Sequence, residues 1–485
     1  MEEILLYFEH ENYATDEIYD KTVKNHIAKI TRLFKDQAPA IVANAPQLLE
    51  IVNPAKHSIS HLAILNTLKQ IDEASFPISI DAFREYVARF LLSYDARQIR
   101  YVGDVFYDLV KDVVECKLFP ARQSTEIVVA ALRRLDPDSA MLTSLHLAVV
   151  KLAYETTNWD EILPIIEKPW VFLPGMKDQS RSKYLCDLTA SPAAYISPST
   201  QLTDYLTRES VMEHEYISAM VFTAKKKWAN AHNAYQRIVT WPSRESSVSK
   251  LMTDSHKRWI LTGLLALGQA PTLPSHISPS AQKSYAALSK PYADVAAQFS
   301  TTNVEQLKAE IEKGAETWVA DQTTTLMKEV VMAYQKWQIL GLADVYHKIS
   351  IPEIRQQTLS AETARNLETD GEVEELLQEM VNIGMLQGSL EISPDGIKCL
   401  TFLPSDKEIE YTEYQKKIKD DARIKTLNKL TEASDARLAA SKDYAKHVLR
   451  EQKRQDKDGG QSQNIELGFD ASIEDEDLMS GLRQD

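Results

Sequence analysis

Apolar residues recur along most of this chain at the three- and four-residue spacing that places them on one side of a helix. Phe83, Val87, Phe90 and Leu91 form one such set, and Leu142, Leu145, Val149 and Leu152 another. Pro46, Pro54, Pro120, Pro137 and Pro164 punctuate the pattern, which predicts successive helices to about residue 200. Two stretches read as degenerate copies of one helix–turn–helix unit: LHLAVVKLAYETTNWDEILPIIE from Leu145 and ISAMVFTAKKKWANAHNAYQRIV from Ile217. In each, an apolar helix ends in polar residues and a Trp (Trp159, Trp228) opens the next helix. A pair of this kind cannot bury its apolar face alone, so stacked pairs predict a solenoid.

Pro192–Ser199 and Ala270–Ser280 read as loops, with the basic and apolar helix HKRWILTGLLALG between them. Beyond, Tyr285, Leu288, Tyr292, Val295 and Phe299 form one helical stripe. Thr302 with Glu305 has capping-box spacing. Leu307, Ile311 and Trp318 carry the next helix, and Asp321 is the expected cap of the one after.

From about Ala333 the pattern changes. A helix through Trp337, Leu340 and Val345 is expected to end near His347. Ser350-Ile-Pro-Glu353 combines a cap, a Pro in the first turn and a Glu three residues on, a strong start signal. A short helix to Leu359 and a third over Gly371–Leu386 follow, then strand candidates Ser389–Ile392 and Ile397–Leu403 joined by the turn sequence Ser-Pro-Asp-Gly. Three helices and a two-stranded wing outline a winged helix. After Pro404 neither Gly nor Pro occurs until Gly459, which predicts one long charged helix with a narrow apolar stripe. Such a helix needs a partner surface. The fold class expected is therefore mostly all-α. Helical repeats (1–210) lead into a further helical part (211–332), a winged helix (333–404), an assembly helix (405–457) and an acidic, disordered tail (458–485).

Composition narrows the function. Gly is only 14 of 485 residues, well under the usual ~7%, which suits long helices with short connections. The net charge of −15 works against nucleic-acid binding, which gains affinity by neutralising phosphates. The expected third helix of the winged helix makes the same point: Glu372, Glu374, Glu375 and Glu379 stand where DNA-reading members carry cations. A wing used for protein contact fits better, since its strands can pair edge to edge with a neighbour's. Met1–His10 lacks the basic start and long apolar run of a signal peptide. No window approaches the ~20 apolar residues of a membrane span. Cys116, Cys186 and Cys399 are dispersed and odd in number, which suits a reducing compartment rather than a disulfide framework or zinc site.

Chemistry-bearing motifs are scarce. There is no GxxxxGK[ST] or GxGxxG loop, no GxSxG elbow, no HxH and no HExxH. His57 and His61 stand four apart, as two metal ligands on one helix face would, without a convincing third ligand nearby. His214-Glu215 opens like a zinc-protease motif and lacks its second His. No catalytic, cofactor-binding or metal residue is assigned, and no cofactor is expected.

Repeats running into an acidic winged helix resemble the PCI-domain family. The segments LLALGQAPTLP (Leu264–Pro274), KPYADVAAQFSTTN (Lys290–Asn303), EIEKGAETWVADQTTTLMKEVV (Glu310–Val331) and YQKWQILGLADVYHKISIPEIRQQ (Tyr334–Gln357) are similar to the third-subunit family of the constitutive-photomorphogenesis (COP) signalosome. The likeness is closest from about residue 210 to 404. It implies a non-catalytic scaffold of a cytoplasmic and nuclear complex. In that complex PCI subunits join through their winged helices into a ring and their C-terminal helices gather in a bundle. The complex removes a ubiquitin-like modifier from the cullins of cullin-RING ligases, with its metal site on another subunit. Leu390, Ile392, Leu400 and Phe402 would then support wing contacts, and Ile418, Leu427, Leu430 and Leu438 would anchor the C-terminal helix. The wing residues could instead fill the domain's own core, and the helix residues could pack on this same chain. PCI subunits of the proteasome lid or of translation initiation factor three are the alternatives in kind. A winged-helix nucleic-acid adaptor and a cryptic hydrolase are more distant ones. Neither membrane nor nucleic acid is an expected partner.

Overall fold

The computed structural model describes residues 1–8, 13, 15–71, 76–176, 183–242, 248–301, 303–392, 397–403, 406–439, 444 and 446–450. The chain divides into two compact units, residues 1–386 with 390–401, and residues 387–389 with 402–485.

The first unit begins with α1 (Glu2–Leu5), α2 (Asp16–Ala43), α3 (Ala45–Ile51), α4 (Ser58–Lys69), α5 (Ile80–Ser93), α6 (Ala96–Ile99), α7 (Gly103–Val114) and α8 (Ala121–Leu135). It continues with α9 (Ser144–Glu155), α10 (Trp159–Ile166), α11 (Pro192–Tyr195), α12 (Arg208–Ala224), α13 (Trp228–Val239) and α14 (Lys250–Leu267). Then come α15 (Pro279–Leu288), α16 (Lys290–Phe299), α17 (Val304–Lys313), α18 (Ala315–Ala320) and α19 (Thr324–Leu342). A terminal module holds β1 (Lys348–Ser350), α20 (Ile351–Gln357), α21 (Asp370–Asn382), β2 (Gly388–Ile392) and β3 (Lys398–Phe402).

The two repeat copies are α9–α10 and α12–α13, and α9 packs directly on α12, so the pairs stack. Their turns are alike in detail. Thr157 and Lys226 both adopt left-handed backbone, φ 59° and 55°, two residues before the Trp. The next N–H reaches back five residues, Asn158 to the Ala153 carbonyl and Lys227 to that of Phe222, each at 2.9 Å. This Schellman closure satisfies a carbonyl at the helix end that would otherwise lack a partner. Gln322 (φ 54°) closes α18 in the same way through Thr323 and Trp318. Glycine usually takes this posture; here Thr, Lys and Gln do, which is one reason the chain needs so few glycines. Trp159 and Trp228 are half-buried against the core beside these turns.

Helix α14 is the hub. It packs on α12, α13, α15, α16 and α19, and its buried residues include Ser255, His256, Trp259, Ile260, Leu261, Thr262, Gly263 and Leu264. Burial on nearly every side marks a central helix. The Trp259 ring stacks on His232 at 5.5 Å, and His256 stacks on Tyr285 at 4.3 Å while bonding the Ser289 hydroxyl at 2.9 Å. Two of its cations are also tied down. Lys257 reaches both carboxylate oxygens of Asp321 at 2.8 Å, and Arg258 donates to the Asp321 carbonyl and the Tyr216 hydroxyl. Gly268 ends α14 at φ 70°, where a Cβ would run into the Trp337 ring.

Several local expectations change. The stripe from Tyr285 to Phe299 belongs to two helices, because Pro291 starts α16 after Ser289 and leaves Leu288 exposed. Leu307 and Trp318 also lie on separate helices, α17 and α18. Thr302 lies outside the described residues, and Asn303 caps α17 through Gln306. Asp321 is a partner of α14, and Thr323 stands at the start of α19. Pro192 opens the one-turn α11 inside an expected loop. The helix expected to end near His347 stops at Leu342, and α19 runs through the expected boundary at 333. At the N-terminus, Pro39 interrupts α2 with a kink at Gln37.

Two tests follow from this packing. Thr is β-branched and strained in left-handed backbone, so Thr157→Gly should stabilise the protein by up to ~1 kcal/mol after the glycine's extra unfolded-state entropy. A lower urea midpoint would show that the turn is unstrained. The second concerns pH. Burial, the first cause in each case, pushes His26, His61 and His256 down to about 4 and His146 to about 3. The unfolded chain takes up these protons near pH ~6.5. The stabilisation is therefore complete above that pH and declines as pH falls from ~6.5 toward 4, by up to ~1.4 kcal/mol per pH unit for each His. Urea midpoints that stay constant between pH 7.5 and 5 would refute it.

Candidate assembly surface

Ser350 builds the terminal module's entry: its hydroxyl caps α20 and the Glu353 carboxylate returns to the Ser350 N–H at 3.1 Å, a full capping box. The strand just before it, β1, was not expected, since Lys348-Ile-Ser is too short to show a period. It pairs antiparallel with β3, Ile349 opposite Leu400, in a three-stranded sheet of order β1-β3-β2. The joining residues 393–396 lie outside the described residues.

The acidic third helix of the module, α21, holds its neighbours by carboxylates. Glu374 pairs with Lys398 of β3, Glu379 with Lys336 of α19 and Asp370 with Arg355 of α20. Its apolar side, Val373, Leu377 and Met380, is fully buried.

The expected wing residues separate into two groups. Leu400 and Phe402, on the central strand β3, are buried, 0% and 6% exposed, and sit in the interior. Ile392 is 70% exposed near the end of the edge strand β2, and Leu390 is half-buried. Val345 and Ile383 are strongly exposed as well. Apolar spacing extends a helix through each, yet Val345 follows the end of α19 and Ile383 caps α21, so neither helical stripe reaches them.

In the second unit, α22 (Asp406–Ala439) is one continuous helix. Its described side chains, 417–421, 423–432 and 434–435, are all exposed. Ile418, Ile424, Leu427 and Leu430 are each half or more accessible. Its described apolar residues do not form the single stripe expected of it. At ~100° per residue Ile418 stands about 180° from Leu427, whereas Ile424, Leu427 and Leu430 share one side. Leu438 falls on that same side by position; its side chain lies outside the described residues, as do those of Tyr411 and Tyr414. Ile424, absent from the expected set, is placed on this side by its angular position alone.

The residues that resembled catalytic groups have structural partners. His57 Nδ1 lies 2.9 Å from the Phe8 carbonyl, and His61 Nδ1 2.9 Å from that of Val52, with its ring stacked on Phe90. Glu215 is 1% exposed and receives hydrogen bonds from Arg237 and the Trp170 indole, with His214 3.8 Å away. Burial alone would raise its pKa; contacts with His214, Arg237 and Trp170 outweigh that and hold it below the usual carboxylate value. Among the described residues no group of three His, Cys, Asp or Glu side chains is placed to hold a metal ion. None of the described helices is long and apolar enough to cross a membrane.

A family model described as COP9 signalosome complex subunit 3, N-terminal helical repeats, matches residues 21–185 and 195–281, over half of the chain. The chain belongs to the COP9 signalosome subunit 3 family. A relative named COP9 signalosome complex subunit 3, from Neurospora crassa, is 38% identical over 481 residues, 96% of each chain. Those of the same name from Emericella nidulans and Arabidopsis thaliana are 28% and 24% identical, covering 78% and 63% of this chain and 77% and 64% of their own. The subunit 3 signature thus reaches back to residue 21, well before residue 210, where the sequence reading placed the start of close likeness. It spans both repeat turns and the hub α14.

The buried pair of this subunit 3 family member gives a direct test. Arg237→Ala leaves the Glu215 charge without its main partner. We expect a loss of about 2 kcal/mol at neutral pH, below the range for fully buried pairs because Arg237 is partly exposed. The loss should shrink in mild acid as Glu215 takes up a proton. Thermal and urea melts at pH 7.5 and 5 would check it; an equal loss at both would mean that packing, not charge, is what Arg237 supplies.

Proposed function

We propose that this chain is a non-catalytic scaffold subunit of the COP9 signalosome, the assembly that removes a ubiquitin-like modifier from cullins, with the isopeptidase on another subunit. The complex works in cytoplasm and nucleus and meets cullin-RING ligases indirectly. The observation that carries this reading is α22. Helices in proteins draw most of their stability from a packed apolar face, yet the described side chains of α22 are all exposed and its apolar residues emerge on opposite sides. A helix with apolar groups on two sides is suited to a place between other helices, as in a bundle, rather than to one shallow groove. Ile424, Leu427, Leu430 and Leu438 would meet one neighbour and Ile418 another.

The terminal module is read as the winged helix of a PCI domain (333–404), and its wing edge as a second contact. There Ile392 and Leu390 on the edge strand β2 are the residues available to a neighbouring subunit, while Leu400 and Phe402 support the strand from within. Edge strands offer unpaired backbone groups to another chain. Family membership and the likeness to relatives named as signalosome subunits support the complex itself.

The test is assembly. Leu427→Asp with Leu430→Asp should remove the subunit from the complex purified through another member, by native mass spectrometry, without lowering the melting temperature of the isolated chain. Truncation before Ser405 should do the same. Retention of the doubly substituted chain at normal stoichiometry would rule out the bundle contact. Co-purification with a proteasome lid or ribosomal assembly would refute the address.

A further inference from the structure

Helix α2 carries a feature that the assembly reading does not use. Its buried side is Tyr19, Val23, His26, Ile30 and Leu33. Opposite it, Lys21, Lys24, Lys29, Arg32 and Lys35 are all exposed, Lys24 being paired with Asp20 of the same helix at 2.7 Å. At ~100° per residue these five lie within an arc of about 140°. In a chain of net charge −15 this is a local reversal of sign. The row is held straight by the helix, and Lys29 is further positioned over the Tyr7 ring at 3.9 Å.

We propose that this outward side of α2 docks a short acidic protein segment. Three observations select that class of ligand. The cations span about 21 Å of helix, the length of a few turns of an acidic helix or a short extended strand. The row stops in carboxylates at both ends: Glu17 precedes it, and Asp36 closes it 3.7 Å from Arg32. A longer polyanion such as duplex nucleic acid would run past these ends onto an acidic protein and be repelled. Four of the five cations are Lys, point charges suited to separate carboxylates, where bidentate phosphate recognition favours Arg. Each exposed pair contributes little alone, so the binding depends on several contacts at once and weakens steeply with salt.

The full-length chain tests this by fluorescence anisotropy with a labelled twelve-residue peptide of alternating Glu and Ala. Binding is expected at 25 mM salt and should weaken at least tenfold at 300 mM. Replacing Lys21, Lys29, Arg32 and Lys35 together by Gln should weaken it tenfold or more. Replacing Arg208, Lys283, Lys290 and Lys328, exposed cations elsewhere on the first unit, should leave it within twofold. All eight positions are on the surface, so both variants should keep the parental melting temperature. The proposal is overturned by absence of binding at low salt, by equal losses in the two variants, or by a twenty-base-pair duplex RNA that binds the α2 side more tightly than the peptide.

Discussion

The structure rests on the burial of one amphipathic surface against the next, and α14 is where that burial is most complete. A helix pair exposes more apolar area than it can cover by folding on itself. Here α12 and α13 are closed by α14, which in turn receives α15, α16 and α19. Because α14 is surrounded, its charged groups also need partners, and the network through Asp321, Tyr292 and Thr323 provides one for Lys257. Burial of polar groups is tolerable only when they are bonded. The hub therefore joins apolar packing with a set of directional bonds that fix how the helices are rotated about it.

What could be read from the residues was what local physics decides. Periodicity found the helices of both repeat copies, and the Ser350–Glu353 box found the start of α20, because a cap and its returning carboxylate lie within one turn. The joint Trp residues were recognisable for the same reason. Features settled by distant partners were not. Strand β1 is three residues long and exists because β3 arrives beside it. Asp321 looks like a cap in sequence, yet its carboxylate is recruited by Lys257, 64 positions earlier. The repeat turns were visible, but not that Thr, Lys and Gln would hold a backbone posture usually given to Gly.

The assembly surface was legible to a lesser degree. The sequence identified the strand that holds Leu400 and Phe402 and left open which side of the protein they serve; their burial, not their place in the strand order, shows that they are interior. For α22, composition indicated a helix with too little apolar surface for itself, while treating its apolar residues as one set hid the change of side between Ile418 and Leu427. Charges offered the clearest signal of function. Two of the carboxylates of α21 that argue against DNA contact, Glu374 and Glu379, turn out to secure the helix to β3 and α19.

The pairing of β1 with β3 also sets an order of events in time. The solenoid helices find most of their partners close by in sequence and can pack as they leave the ribosome. Strand β1 cannot, because its partner lies about fifty residues downstream. Until Lys398–Phe402 is made, Ile349 has no strand beside it and the terminal module cannot close. Helix α22 is synthesised only after that point. Its sticky residues thus enter the cell on a molecule whose other parts have already had time to fold, which limits the period in which an unfinished chain could be captured by the wrong helices.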